Sequence, residues 1–192
     1  MSLQSSWRSS TRKCGCVSGS PVGTLVVGLG NPILSDDAIG WRVAQRVREE
    51  LSDYVSDDPP AVSSVRVVEV SVGGLSLAEL LVGYRRAVVI DAIMSREHAP
   101  GTVYCLKLID LPGTLNTASA HDTNLITALH ALRRFGAEAP VDEAVDIVAV
   151  EAQDVTTFSE GCTSAVLASI PVAASAVMQL LRSYGALPDD PG

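Results

Sequence analysis

The sequence has few aromatic residues, few histidines and few cysteines. Aromatic side chains make up 4% of 192 residues, and the chain has three histidines and four cysteines. Cys14, Cys16, Cys105 and Cys162 match neither the spacing of a zinc ribbon nor that of a C-x-x-C redox pair. Secreted disulfide scaffolds are small and dense in cysteine. We therefore predict free thiols and a reducing, cytoplasmic location.

Basic residues are also scarce: the chain has 14 Lys and Arg against 22 Asp and Glu, which gives a net charge of −8. Non-specific affinity for nucleic acid comes mainly from Lys and Arg that displace counterions, so this balance argues against a nucleic-acid partner. Hydrophobic residues at 47% and charged residues at 19% exclude a disordered chain.

Neither residues 1–20 nor residues 162–181 predict a secretory signal or a membrane span. Residues 1–20 contain seven Ser and no acid, and they lack the apolar run of a secretory signal, so we expect a disordered leader or an expression-derived segment there, with a transit peptide as the alternative. Residues 162–181 carry no charge, but polar residues interrupt them and Pro171 would kink a helix. We therefore predict no membrane span.

Short apolar runs alternate with helical patterns from residue 21 to residue 185, which predicts one α/β domain followed by a tail at residues 186–192. Two continuous apolar runs, Thr24–Gly28 and Ala87–Ile90, are typical of strands buried on both faces of a parallel sheet. Weaker strand candidates are Val65–Val70, Thr102–Leu106 and Val145–Val150.

Four helices are predicted around these strands. Helical spacing of apolar residues runs over Ile39–Leu51 and Leu125–Leu132, a short helix is expected around Leu75–Val82, and one long helix over about Thr163–Tyr184. This order predicts a three-layer α/β/α sandwich with a twisted, mostly parallel sheet of about five strands and helices on both faces. The connection over residues 92–101 has little room for a crossover helix, so we expect the two strands that it joins to form one antiparallel pair.

The clearest motif runs from Gly28 to Gly40 (GLGNPILSDDAIG), from the end of a strand through a glycine turn into a helix. The third glycine of a dinucleotide fingerprint is absent, because residue 33 is Ile, and no Lys is present to cradle phosphate. A non-enzymatic nucleotide-binding module therefore stays open only as an alternative.

Asp36 and Asp37 stand where that helix begins. Acids at this position complement the helix dipole and cap free N–H groups. Ser35 already offers a hydroxyl as a cap, so two adjacent carboxylates exceed what the terminus needs and repel each other unless a cation or donor lies nearby. Local physics supports capping and function about equally.

Asp91 and His121 are the other candidate site residues. Asp91 directly follows the buried run Ala87–Ile90, and ligands of open α/β sheets bind at the carboxyl ends of the strands. His121 ends a loop of small residues and opens the helix of Leu125, whereas His98 and His130 read as structural or solvated. Two carboxylates and one imidazole at one edge would suit a divalent transition metal, although their spacing does not show that they converge.

Taken together, these motifs resemble the hydrogenase maturation endopeptidases, which remove a C-terminal extension from the precursor of a nickel-iron hydrogenase large subunit. The likeness spans about Leu25 to Leu181. It rests on Gly28-x-Gly30-Asn31 with Asp36, Asp37 and Gly40, on Val89-Ile90-Asp91-Ala92, on Pro100-Gly101-Thr102 and on His121 with Leu125. Residues 71–74 (SVGG) depart from the acid- and Gly-Thr-rich turn common in the family.

The resemblance implies that Asp37, Asp91 and His121 are the metal-binding and active-site groups and that Asp36 is a less directly involved neighbour. It also implies that the cut follows nickel insertion, so that the metal carried by the precursor is what the three residues grasp, with another divalent metal able to replace it in the isolated protein. Such a metal can position the cleavage site, polarise the scissile carbonyl or lower the pKa of a water. No Ser, Cys or Thr nucleophile is evidently paired with a base.

Peptidyl-tRNA hydrolases are the enzymatic alternative, since they also begin with a strand that leads to Gly-Leu-Gly-Asn-Pro. Their pattern continues with a Tyr and then an Arg-His-Asn element that supplies the catalytic His. This chain instead has Ser35-Asp36-Asp37 and no His before residue 98.

Overall fold

The computed structural model describes residues 22–52, 65–110 and 125–188. Strands and helices mostly alternate through these ranges, and a strand is present at each of the five predicted positions. The strands are β1 (Thr24–Leu29), β2 (Val65–Val70), β3 (Arg86–Ile93), β4 (Val103–Lys107) and β5 (Val145–Glu151). The helices are α1 (Ile39–Ser52), α2 (Gly74–Leu80), α3 (Leu125–Arg134), α4 (Ser164–Ala168) and α5 (Ile170–Ser183).

The five strands form one sheet in the order β2-β1-β3-β5-β4. Neighbouring strands are parallel from β2 through β5, and β4 lies antiparallel to β5 at one edge. Helices cover both faces, which confirms the predicted three-layer α/β/α sandwich.

Both faces of the sheet are buried, and β1 shows how its side chains divide between them. Leu25, Val27 and Leu29 belong to a core cluster with residues of α2 and α3. Val26 belongs to the cluster on the opposite face, with residues of α1, α4 and α5. Because successive side chains of a strand point to opposite faces, a strand covered on both faces needs a continuous apolar run rather than an alternating one.

The antiparallel pair exists, but the predicted partner of β4 was wrong. β3 is already paired with β1 on one side and with β5 on the other, so the strand that follows it has no free edge of β3 to join. β4 therefore pairs with β5, from Val103 opposite Val150 to Lys107 opposite Asp146.

The single long helix predicted at the C-terminal end was also wrong, because the segment is divided into α4 and α5 at Ser169. Pro171 has no N–H to donate to the preceding turn, and it occupies the first turn of α5, where proline is favoured. The Ser169 hydroxyl donates to the Val166 carbonyl at 2.7 Å and satisfies an acceptor at the break. After α5, Ala186 and Leu187 still pack on the core.

A membrane span was not expected, and the described ranges contain no helix with the length and apolarity that would be needed to cross a bilayer.

Candidate active site

Two glycines bring the start of α1 against the carboxyl ends of β1 and β3. A Cβ on Gly28 would lie 2.4 Å from the Gly40 carbonyl oxygen, and a Cβ on Gly40 would lie 2.2 Å from the oxygen of Leu29 and 2.5 Å from that of Ile90. Any side chain at either position would push the helix away from the sheet. This contact holds the loop before α1 over the end of the sheet, which we call the rim.

The glycine turn closes the same loop on itself. Gly30 has φ +125, and a Cβ there would lie 1.8 Å from the Asp37 carbonyl oxygen. The backbone N–H of Asn31 then donates to the Asp37 carboxylate at 2.7 Å. The turn is thus explained by its packing against Asp37 and needs no bound phosphate.

Asp37 is partly exposed and lies in a 3-10 turn, Ser35–Ala38, that precedes α1 and contacts β3. In the described part of the chain, its carboxylate accepts the Asn31 N–H and forms no ion pair. Ser35 was predicted to cap the helix, but it is itself the first residue of the 3-10 turn, and the capping position falls on Leu34, which has no capping side-chain bond.

Asp91 is buried, with 1% of its surface exposed, and it lies at the same end of the sheet. The strand continues past the predicted end at Ile90 to Ile93, so Asp91 is inside β3, opposite Ala149 of β5. The Ala92 N–H donates to the Asp91 carboxylate at 2.8 Å. Burial of a carboxylate is costly unless donors compensate for lost water, so such an acid at a rim is a strong candidate for function.

His121 and the loop before it lie outside the described residues. Within those residues, no group of three or more His, Cys, Asp and Glu side chains is placed to hold a metal ion. The structure thus puts Asp37 and Asp91 at one rim, and the meeting of these acids with His121 stays a prediction.

The other two histidines, expected to be structural or solvated, are both exposed and contact neighbouring side chains. The His98 ring packs edge-on against Tyr104, with centroids 5.6 Å apart. His130 on α3 lies 2.6 Å from the carboxylate of Asp142, which also accepts a bond from Arg133. Burial alone would raise the pKa of Asp142, but these two partners lower it below its ordinary value.

Two further rim acids, Asp36 and Glu151, have contacts that the sequence reasoning did not find. Asp36 does not cap its own helix; its buried carboxylate accepts bonds from the β5–α4 loop, residues 152–163. Glu151 is 1% exposed and accepts bonds from Ser95, Arg96 and Tyr104, so it anchors the segment after β3. Glu151 ends a buried strand, which is the same signal that selected Asp91.

Neither described cysteine has the properties of a nucleophile. Cys105 and Cys162 are both free. Burial raises the pKa of the Cys162 thiol, and the nearby Asp36 carboxylate raises it further. Burial and Asp146 likewise raise the pKa of Cys105. A raised pKa lowers the thiolate fraction, and the thiolate is the reactive form.

Two solved structures of endopeptidases resemble this fold. The hydrogenase maturating endopeptidase HybD from E. coli matches with a TM-score of 0.69 and 28% identity over 85% of this chain and 94% of its own. The solution structure of an endopeptidase from Escherichia coli matches with a TM-score of 0.68 and 27% identity over 89% of this chain and 100% of its own.

The sequence comparisons define the particular family. The model of the HycI hydrogenase maturation protease family matches residues 45–180. The hydrogenase 2 maturation protease of Escherichia coli (strain K12) is 30% identical over 164 residues, which cover 84% of this chain and 92% of that protein. This chain therefore belongs to the hydrogenase maturation protease family.

The protein is accordingly a peptidase, and the resemblance drawn from its motifs is confirmed. The family assignment displaces both alternatives, the peptidyl-tRNA hydrolase and the non-enzymatic nucleotide-binding module. The range matched by the family model includes Asp91 and His121 and begins after Asp37. The prediction that Asp37 is a site residue thus rests on the geometry of its loop and on the sequence motif.

Proposed function

We propose that this protein removes the C-terminal extension of a nickel-iron hydrogenase large-subunit precursor after nickel has been inserted. Membership of the hydrogenase maturation protease family supports the class of reaction. The observation that carries the proposal is that, in a chain of this family, Asp37 and the buried Asp91 lie at the same rim of the sheet. The precursor would be both the substrate and the carrier of the nickel.

In this proposal Asp37, Asp91 and His121 are the protein's ligands to the metal on the precursor. Carboxylate oxygen and imidazole nitrogen are suitable ligands for divalent transition metals. Hydrogen bonds orient both acids, since Asp37 accepts the Asn31 N–H and Asp91 accepts the Ala92 N–H. We include His121 among the ligands because its position in the sequence resembles that of the family's histidine.

The charge of the two acids gives a reason for dependence on nickel. Two carboxylates at one rim repel each other, and a divalent cation between them would reverse that repulsion. A precursor without nickel brings no such cation and would bind less well. Once held, the metal can position the cleavage site, polarise the scissile carbonyl or lower the pKa of a water, each a recognised role in hydrolysis.

The attacking group in this scheme is water, and the raised pKa values of the two described cysteines, Cys105 and Cys162, agree with that choice. Their free state also supports a reducing, cytoplasmic location for the protein.

Three protein ligands leave the coordination sphere open. Such a site binds metal less tightly than a closed site with four ligands, so we expect the isolated protein to hold no metal or an adventitious one. Protons compete with metal for imidazole and carboxylate groups, and acidification should therefore release any metal that is bound.

The test is incubation of the protein with precursor prepared with and without nickel, followed by mass spectrometry of the precursor. We expect loss of a short C-terminal peptide from the nickel-loaded form alone. An intact loaded precursor would contradict the proposed activity, and equal cleavage of both forms would contradict the role of nickel.

A further inference from the structure

The most heavily hydrogen-bonded side chain at the rim belongs to Asp36, which is fully buried at 0% exposure. One carboxylate oxygen accepts the backbone N–H of Gln153 at 2.9 Å and that of Asp154 at 3.0 Å. The other oxygen accepts the N–H of Thr163 at 2.6 Å, and the Thr163 hydroxyl donates to the first oxygen at 3.0 Å. We call this set of four hydrogen bonds the Asp36 latch.

The latch joins two loops that are also paired through their backbones. Ser35 N–H donates to the Thr157 carbonyl at 3.0 Å, and Asp36 N–H donates to the Asp154 carbonyl at 2.9 Å. In the opposite direction, Ser159 N–H donates to the Ile33 carbonyl at 3.1 Å. The loop before α1 and the loop between β5 and α4 thus form one connected unit at the rim.

The energetics favour an intact latch. A buried carboxylate without partners is costly, but three backbone N–H groups and one hydroxyl replace the water that Asp36 loses. Thr163 is the residue before α4, and its side chain makes no bond that caps its own helix. The Thr163 hydroxyl therefore acts on Asp36 rather than on α4.

Asp37 depends on this arrangement because it has little support of its own. It follows Asp36 in the same 3-10 turn, and that turn has no capping side chain at its start. In the described part of the chain, the Asp37 side chain is held by the Asn31 N–H alone. Besides the glycine contacts that hold this loop, the backbone that carries Asp37 is therefore fixed through the bonds of its neighbour Asp36.

We propose that Asp36 is a positioning residue for Asp37, and that its latch to the β5–α4 loop sets where the Asp37 carboxylate lies. The inference rests on the proposed function, in which Asp37 contacts the metal of the precursor. It assigns the two adjacent acids different roles: Asp37 touches the substrate, and Asp36 acts through the loop that it fastens.

The test uses two pairs of matched variants. Thr163→Val removes one bond of the latch and keeps the branched shape, whereas Thr163→Ser keeps the hydroxyl. In Asp36→Asn, the amide NH₂ faces a donor in either orientation. Glu160→Gln makes the same change from carboxylate to amide at an exposed residue of the same loop whose side chain is not part of the latch.

The first readout is the backbone amide of Asn31, which reports the Asp37 carboxylate without any need for activity. By NMR, we expect Thr163→Val to shift the Asn31 resonance and to raise its hydrogen-exchange rate about tenfold, with a larger effect for Asp36→Asn. In Thr163→Ser and Glu160→Gln, the Asn31 amide should exchange within about twofold of the wild-type rate. An unchanged Asn31 amide in folded Thr163→Val would overturn the inference.

The second readout is cleavage of nickel-loaded precursor. We expect kcat to fall about tenfold in Thr163→Val and about a hundredfold in Asp36→Asn, with KM changed by less than about threefold, because a displaced ligand weakens catalysis more than docking. Wild-type kcat in folded Thr163→Val would overturn the inference. Failure of the wild type to cleave would instead reject the proposed function, and the Asn31 amide would still test the latch.

Discussion

The two ends of the sheet hold their buried acids in different ways. At the amino-terminal end of the parallel strands, Asp146 forms an ion pair with Lys107 at 2.7 Å and accepts a hydrogen bond from the Tyr184 hydroxyl. The Arg86 guanidinium lies 4.5 Å from the centre of the Tyr184 ring. At the carboxyl-terminal rim, Asp36 and Glu151 are held by N–H and hydroxyl groups and form no ion pair with any described residue.

This difference separates an acid that is neutralised by a cation of the fold from acids whose hydrogen-bond partners carry no charge. A carboxylate paired with a cation is already neutralised, as at Asp146. Burial and the adjacent Asp146 raise the pKa of Tyr184, so its hydroxyl stays a donor in that cluster. Neutral donors orient a carboxylate without cancelling its charge. This contrast supports our proposal that a metal binds at the rim rather than at the opposite end of the sheet.

Removal of a proposed metal ligand at the rim should have the largest effect. We expect Asp37→Asn, Asp91→Asn and His121→Ala each to lower the rate of precursor cleavage by at least about 10²-fold, as loss of a charge-stabilising group commonly does. Mass spectrometry of the precursor measures the rate, and circular dichroism checks folding. Asp146→Asn is the control at the opposite end, and its cleavage should be close to that of the wild type. An equal loss of cleavage rate in Asp146→Asn and in the rim variants would contradict the proposed difference between the two ends of the sheet.

The close packing of α1 at the rim should have the next largest effect. Gly40→Ala places a Cβ 2.2 Å from the Leu29 oxygen, so we expect a loss of about 2 kcal/mol in the free energy of unfolding. Without this clash, alanine would be the better residue in a helix. Urea unfolding measures the change. Gly161→Ala is the matched control, because a Cβ there meets nothing within 4 Å, and a similar loss in both variants would contradict the packing argument.

At the amino-terminal end, Asp146→Asn should weaken the fold without affecting the reaction. The variant loses its ion pair with the half-exposed Lys107 and keeps an acceptor for Tyr184, so we expect a loss of about 1 kcal/mol in the free energy of unfolding. Chemical unfolding at neutral pH gives this value. If Asp146→Asn had wild-type stability but impaired cleavage, Asp146 would serve the reaction rather than the fold, and our assignment of roles to the two ends would be wrong.

The smallest expected effect concerns Asp142, which lies away from the rim. Its pKa is lowered by Arg133 and His130 against the effect of burial. Such a group stabilises the fold above its unfolded pKa of about 3.9 and loses that contribution as the pH falls through the lower folded pKa.

We therefore expect Asp142→Asn to be less stable than the wild type by about 0.5 to 1 kcal/mol at pH 7. The difference should decrease steadily once the pH falls below about 4. Unfolding in denaturant across this pH range measures it, with Glu143→Gln as a neighbouring control. A difference that is constant with pH would contradict the electrostatic explanation.

The sheet and its faces could be predicted because they depend on local patterns. Runs such as Thr24–Gly28 and Ala87–Ile90 are apolar throughout, and both are strands covered on each side. The rule that ligands bind at the carboxyl ends of parallel strands selected Asp91. The same rule applies equally well to Glu151, which was not selected.

The remaining features depend on contacts between distant parts of the chain. Asp36 bonds to residues 117 to 127 positions away, and no local pattern distinguishes this acid from Asp37. The choice of β5 as the partner of β4 likewise follows from which edges the other strands leave open. The break at Ser169 was within reach of sequence reasoning, because Pro171 stands two residues later.

The most direct test of the central claim is a double-mutant cycle on metal binding. Isothermal titration with nickel would compare the wild type, Asp91→Asn, His121→Ala and the double variant, with folding checked for each. If both residues hold one ion, each single variant loses at least about tenfold in affinity, and the double variant binds scarcely more weakly than the worse single variant. Wild-type affinity in both single variants would show that Asp91 and His121 do not share a metal.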